Sequence, residues 1–572
     1  VSGVCEYGGA RHAGQLKERF FRKCLLIPFD LGTEAIHRAA AENKTSLLVV
    51  IPFVNPTMSP SSSASPDWTG STRCFWGMLT VVTLWKFFAA TTLGLLFDEC
   101  YYWAWSLHPQ ACYFDHPPLT GWLIAAGHLL WGHSTMAVRF WAVVSGIILA
   151  LAGRSLGESM FGKEAGNRAG ILLLLAPIFA GNALLMTPDT FLIPAWACAV
   201  LCAWKGSREG ANLRWWLGAG AAAGIGMLSK YTMILFYGGL CILWLLRPGH
   251  RARLTAGIAL AATISFLLFL PVIWWNGTHS WVSFQNQIHH GFHNEHRALI
   301  NFGNLLDYLT FLIVLVSPIL GLLCFRTAFT RTSDERFQFL GIFFWIVVLF
   351  FGFSAAKAHI EANWPMAAFV TALVMVAGDW ESYALLWRRA ALIVLLIADV
   401  GAVTGVSYLS LPTDSPVAIT KLSPDFSVIH GFPGAGELRR NAAQGFSDFQ
   451  ARIEEFLGPP KAAAATSAVF RKSGADFLCP STYQFFGVMA FYAPDLEHLL
   501  WLPDRGRKRF PWINDRAWAG KNAMVAEWPR SDHQDAPYFE KTTSIQKIEL
   551  PGIKSPVTVT IYEGYHPEKI LP

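Results

Sequence analysis

The sequence predicts an α-helical polytopic membrane protein with a C-terminal soluble α/β domain, on three observations. Hydrophobic side chains make up 53% of the 572 residues. Charged ones make up 15%, where a soluble domain carries about 25%. Apolar runs long enough to cross a bilayer recur from Phe75 and stop near residue 409, where the chain turns charged, mixed and Pro-rich. A soluble enzyme of this size is excluded. The formal charge of +6 does not imply nucleic acid, because loop arginines on the cytoplasmic side of a membrane protein account for it.

Residues 1–74 read as a cytoplasmic N-terminal segment that becomes Ser/Pro-rich between Ser59 and Pro66. Residues 1–57, upstream of Met58, are open to two readings, a native extension or an upstream translation, and carry no assigned function. Residues 75–409 form the membrane domain. About eleven spans are expected near 75–97, 136–153, 169–186, 190–204, 215–229, 231–246, 254–275, 305–325, 337–354, 364–379 and 390–409. Alternate loops then hold fourteen Lys and Arg, from Arg154 to Arg389, against four on the other side (Arg139, Lys230, Arg297 and Lys357). The positive-inside bias makes the first set cytoplasmic. The apolar stretch Leu119 to Trp131 is too short to cross and is expected on the outer surface. Residues 410–572 follow an odd number of crossings and so lie outside. Candidate strands there are Ser467 to Arg471, Asn522 to Glu527 and Val557 to Tyr562, with a helix over Phe446 to Phe456.

This topology gathers ionisable residues on one side. Asp98, Glu99, Asp115, His116, Asp189, Lys230, His289, His290, Lys357, His359 and Glu361 all fall in loops or span ends facing the outer compartment. Any one of them can simply sit in water at a span end, but their convergence from five loops favours a site. The aromatics Tyr101, Tyr102, Trp103 and Trp105 could stack on a sugar or polyprenyl chain, but most of them are expected to form an interfacial belt. Cys100 and Cys112 are open to a disulfide because their loop is expected in an oxidising compartment.

The stretch Asp98 to Leu119 (DECYYWAWSLHPQACYFDHPPL) resembles the first outer loop of the dolichyl-phosphate-mannose protein mannosyltransferase-like family, which includes bacterial aminoarabinose transferases. Further segments resemble that family in order: LMTPDT at 185–190, GMLSKYT at 226–232, SFQNQIHHG at 283–291, EANWP at 361–365 and the tail segment 481–492. The resemblance implies a C-type integral membrane glycosyltransferase fold. It also implies a lipid-linked sugar monophosphate donor, used outside the cytoplasm. The acceptor would be a hydroxyl of a glycolipid, polysaccharide or protein. In the family the first-loop Asp is the usual candidate base, which points to Asp98.

Transfer from a sugar phosphate to a hydroxyl needs a carboxylate to take the acceptor proton and cations to stabilise the departing phosphate. Asp98 suits the first role, with Glu99 either assisting or holding the loop, and Asp189 orienting the acceptor or a cation. Lys230, Arg139, His116 and His290 are the candidate phosphate contacts. His116 follows Asp115 where many relatives have Glu-Lys, so a fixed charge is missing there. A divalent metal on Asp115 and His290 stays open, since carboxylate and imidazole both suit such ions. The reaction is expected to invert the anomeric centre. The competing class is a lipid or glycolipid flippase. Such transporters place ionisable groups at broken helices near the midplane and often show inverted repeats, neither of which is visible here.

Overall fold

The computed structural model describes residues 68–292, 301–358, 360–409, 456–501, 509–528, 538–551, 553 and 555–567. Its helices are α1 (Thr72–Thr92), α2 (Phe97–Ser106), α3 (Leu119–Trp131), α4 (Thr135–Phe161), α5 (Lys163–Leu175), α6 (Pro177–Asn182), α7 (Asp189–Ser207), α8 (Arg214–Ser229) and α9 (Leu235–Leu246). They continue with α10 (Arg251–Thr278), α11 (Val282–Phe292), α12 (Phe302–Val314), α13 (Pro318–Thr330), α14 (Glu335–Ala355), α15 (Met366–Gly378) and α16 (Leu385–Leu409). The tail adds α17 (456–473), β1 (Phe477–Pro480), α18 (Tyr483–Tyr492), β2 (Ala523–Glu527), β3 (Phe539–Ile548) and β4 (Val557–Tyr565).

Among the described residues, five helices are long and apolar enough to cross a membrane, or six if the bent pair α12–α13 counts as one. Several of the eleven expected spans are thus shorter than a bilayer-crossing helix or broken. The expected span 305–325 is two helices meeting at 98°. The cause is Ser317-Pro318: proline disfavours the α conformation in the residue before it, and Ser317 adopts φ 118° and caps α13 through Leu320 N–H at 3.3 Å. Span 169–186 likewise breaks at Ala176-Pro177. Span 75–97 ends at Thr92, and α2 restarts within it at Phe97. Burial separates centre from rim. α7 is 67% buried over its apolar window and α1 only 28%, so α7 packs centrally and α1 turns most of its surface to lipid.

The tail sheet has the order β1-β2-β4-β3, with β1 and β2 parallel and the other pairs antiparallel. Side chains alternate between its faces. Leu478, Met524 and Ala526 pack towards α18, and Phe477, Cys479 and Val525 pack on the far side. β3 is mostly exposed at the edge and carries Lys541 and Lys547, charges that discourage edge-to-edge pairing. The strands expected at 522–527 and 557–562 are present. Ser467 to Arg471 is instead the end of α17, where an Ala-rich lead-in (Ala462 to Ala465) favours helix. Residues 446–455 of the expected helix lie outside the described residues.

One hydrophobic core joins tail and membrane helices. Tyr101, Trp103 and Trp105 of α2 pack with Phe485, Val488 and Met489 of α18. The approach is close: a Cβ on Gly487 would sit 2.5 Å from Tyr101 N. The interfacial-belt expectation for the α2 aromatics is therefore overturned, because Tyr101, Tyr102, Trp103 and Trp105 are each at most 7% exposed. They form the surface on which the tail docks.

Candidate active site

Asp98 and Glu99 occupy the first turn of α2, and adjacent helical residues point about 100° apart. Their environments diverge accordingly. Asp98 is exposed and lines a cavity of about 660 Å³. Glu99 is 1% exposed and points into the core. Its Oε1 accepts from Arg139 Nε at 2.8 Å and Met186 N–H at 3.1 Å, while Oε2 accepts from Arg139 Nη2 at 2.5 Å and Leu96 N–H at 3.1 Å. Arg139 is itself fully buried, and it also donates to the carbonyls of Leu93 and Gly94. Its expected phosphate role is corrected: the guanidinium is spent on Glu99 and the α1–α2 connection, away from the cavity. Glu99 thereby ties the first turn of α2, which carries Asp98, to Arg139 of α4.

The cavity gathers most of the outer-side groups read from the sequence: Asp98, Asp115, His116, Asp189, Lys230, His289 and Glu361 line it. Lys357 does not, lying 4.3 Å over the Phe353 ring. His359 and the side chain of His290 lie outside the described residues.

Lys230 sits where α8 ends and a short 3-10 turn, Tyr231–Ile234, begins. Its Nζ donates to both carboxylate oxygens of Asp189 at 2.9 Å, and Asn363 Nδ2 donates to Asp189 Oδ2 at 2.7 Å. Ser229 Oγ adds a bond to the carbonyl of Pro188 at 2.6 Å. Three separate loops are tied at one wall, and the two residues expected to act separately, Asp189 and Lys230, form one buried pair facing the cavity.

On another wall Asp115 Oδ2 accepts from Tyr101 Oη at 2.5 Å and from Arg509 Nη1 at 2.6 Å. Asn286 Nδ2 donates to Oδ1 at 3.3 Å. A metal on Asp115 would compete with that guanidinium. Among the described residues no three His, Cys, Asp or Glu side chains come together as metal ligands. Burial, together with the charges of Asp98 and Asp115, pushes the phenols of Tyr102 and Tyr483 up, so both stay neutral where they line the cavity with Asp98.

Cys100 and Cys112 are free thiols. Cys100 is buried in the α2 core, whereas Cys112 lies 3.3 Å from Tyr231 Oη and 3.7 Å from Ser283 Oγ. Sequence reading missed Tyr483, Asn363 and Arg509. Asn363 lies in the EANWP segment and Tyr483 in the tail segment 481–492, both of which resemble family segments. Arg509 stands in an ordinary basic run, Arg507-Lys508-Arg509, that carries no signal of its own.

Residues 115–275 match the family described as dolichyl-phosphate-mannose-protein mannosyltransferase. Over 383 residues, 64% of this chain and 77% of the relative, the chain is 25% identical to the lipid A galacturonosyltransferase RgtD of Rhizobium johnstonii. Its fold is similar to that of ArnT from Cupriavidus metallidurans bound to undecaprenyl phosphate, with a TM-score of 0.59 and 16% identity over 86% of this chain and 98% of that one. The apo state of the same ArnT gives 0.54 and 17% over the same shares. The chain is thus similar to the dolichyl-phosphate-mannose protein mannosyltransferase family over its matched segment and to a lipid A galacturonosyltransferase over most of its length, and it shares the C-type membrane glycosyltransferase fold of ArnT.

Proposed function

We propose that the chain transfers a sugar from a polyprenyl-phosphate-linked donor to a hydroxyl of an extracytoplasmic acceptor, with Asp98 as general base. The observation that carries this is the division of labour in the acid pair: Glu99 is locked to Arg139, while Asp98 opens into a cavity that also presents Lys230. The acceptor hydroxyl gives its proton to Asp98 as its oxygen attacks the anomeric carbon, and the bond from that carbon to the phosphate oxygen breaks. A single displacement of this kind inverts the anomeric centre. The leaving phosphate takes the bonding electrons, and Lys230, held at the wall by Asp189, supplies positive charge for it.

The Lys/Arg bias of the loops supports placing the cavity on the outer side of an inner or plasma membrane. The tail, whose Tyr483 and Gln484 line the same cavity, then lies there too. Neither the fold nor the relatives support the flippase alternative. The test is mass spectrometry of envelope glycans from cells with and without the gene. Deletion should remove one sugar substituent, which wild type restores and Asp98→Asn does not. Unchanged glycans would reject the proposal.

A further inference from the structure

A second cation reaches the cavity from outside the membrane helices. The Arg509 side chain is 12% exposed. Its guanidinium lies 4.1 Å over the ring of Tyr483 and 4.9 Å over that of Phe114. Both of its hydrogen bonds, to Asp115 Oδ2 at 2.6 Å and to Tyr101 Oη at 3.5 Å, leave from Nη1. A guanidinium has five N–H donors in a planar fork suited to two phosphate oxygens. The two aromatic rings packed on it restrict its plane, and Arg509 lines the cavity. Asp115 is held by Tyr101 and Asn286 as well, so it does not depend on Arg509 alone.

We propose that Arg509 is a phosphate contact for the lipid-linked donor, supplied by the C-terminal tail, and that Asp115 holds the guanidinium in position until the phosphate arrives. The inference rests on the function proposed above. Its chemical reason is charge balance. A sugar phosphodiester carries one negative charge. When the bond between the anomeric carbon and oxygen breaks and the electron pair stays on oxygen, the polyprenyl phosphate carries up to two. Lys230, already bonded to both oxygens of Asp189, offers one shared charge, and Arg509 offers the other. The tail is then part of the active site, and its docking on α2 through Tyr101 and Gly487 is a condition for donor binding.

The experiment titrates purified full-length protein with undecaprenyl phosphate and, separately, with undecaprenol, which lacks the phosphate. Arg509→Gln should weaken undecaprenyl phosphate binding by about 10-fold or more and leave undecaprenol binding unchanged, while Arg509→Lys recovers part of the loss. Asp115→Asn removes the carboxylate that competes with the phosphate for the guanidinium and should tighten phosphate binding. If Asp115→Asn and Arg509→Gln weaken phosphate binding equally, the pair is only a strut and the proposal falls. Undecaprenyl phosphate binding to Arg509→Gln within about twofold of wild type also overturns it, as does a parallel loss of undecaprenol. Should Arg509→Gln not fold, as judged by its melting, Arg509→Lys against Asp115→Asn decides on the same opposite signs. Failure of the wild type itself to bind undecaprenyl phosphate would instead overturn the function on which the inference rests.

Discussion

Replacing Glu99 by Gln separates structure from chemistry most sharply, because its neighbour is the proposed base. The carboxylate accepts four hydrogen bonds, two from Arg139 and two from backbone N–H groups, at 1% exposure. Gln keeps the shape but turns one oxygen into an NH2 group. Whichever oxygen is lost, one guanidinium N–H and one backbone N–H then face a donor, and the fully buried Arg139 loses its counter-charge. Removing one partner of a buried pair costs about 3–5 kcal/mol, a large part of the roughly 5–15 kcal/mol that holds a protein folded. Thermal unfolding in detergent, followed with a thiol-reactive dye, reads this directly, since Cys100, Cys112, Cys324 and Cys479 are buried free thiols that unfolding exposes. Glu99→Gln should melt well below wild type. Combining it with Arg139→Gln should recover part of the loss, because the unpaired charge is gone. A variant that melts with wild type yet loses turnover would refute the reasoning and return Glu99 to the chemistry.

Asp98→Asn should do the reverse: the same melting profile as wild type and turnover reduced about 100- to 10,000-fold, measured on the purified protein. Retention of a third of the activity would exclude Asp98 as the base. Asp189→Asn should weaken transfer by disturbing Lys230, and Lys230→Arg should retain more donor affinity than Lys230→Ala or Lys230→Gln in a binding titration. Equal affinities across that series would remove Lys230 from the site. Gly487→Ala puts a methyl 2.5 Å from Tyr101 N and 2.6 Å from the carbonyl carbon of Cys100, both backbone atoms that cannot swing aside. Limited proteolysis should show a loosened tail, and activity should fall with it. Wild-type protease resistance would contradict the docking described.

The membrane helices and the convergence of Asp98 and Lys230 on one cavity were legible because hydropathy, charge bias and loop motifs act locally along the chain. What was not legible depended on neighbours distant in sequence. Arg139 looked like a cation free to meet a phosphate, and only the fold brings Glu99 and the Leu93 and Gly94 carbonyls to it. The α2 aromatics have the composition of an interfacial belt, and nothing local distinguishes it from a docking surface for α18. Arg509 lies 394 residues from Asp115, so no periodicity could pair them. The 305–325 break was readable in principle from Ser317-Pro318, but total hydropathy outweighed it.

Sugar transfer at the Asp98 cavity can be followed on the purified protein itself. It is tested most directly by reconstituting the purified full-length chain in liposomes with a radiolabelled undecaprenyl-phosphate sugar and an envelope glycolipid fraction. Label should move to the acceptor as undecaprenyl phosphate is released in equal amount, and Asp98→Asn should bind the donor but leave the label on it. Donor bound by the wild type and carried across the bilayer with its sugar still attached would contradict the account.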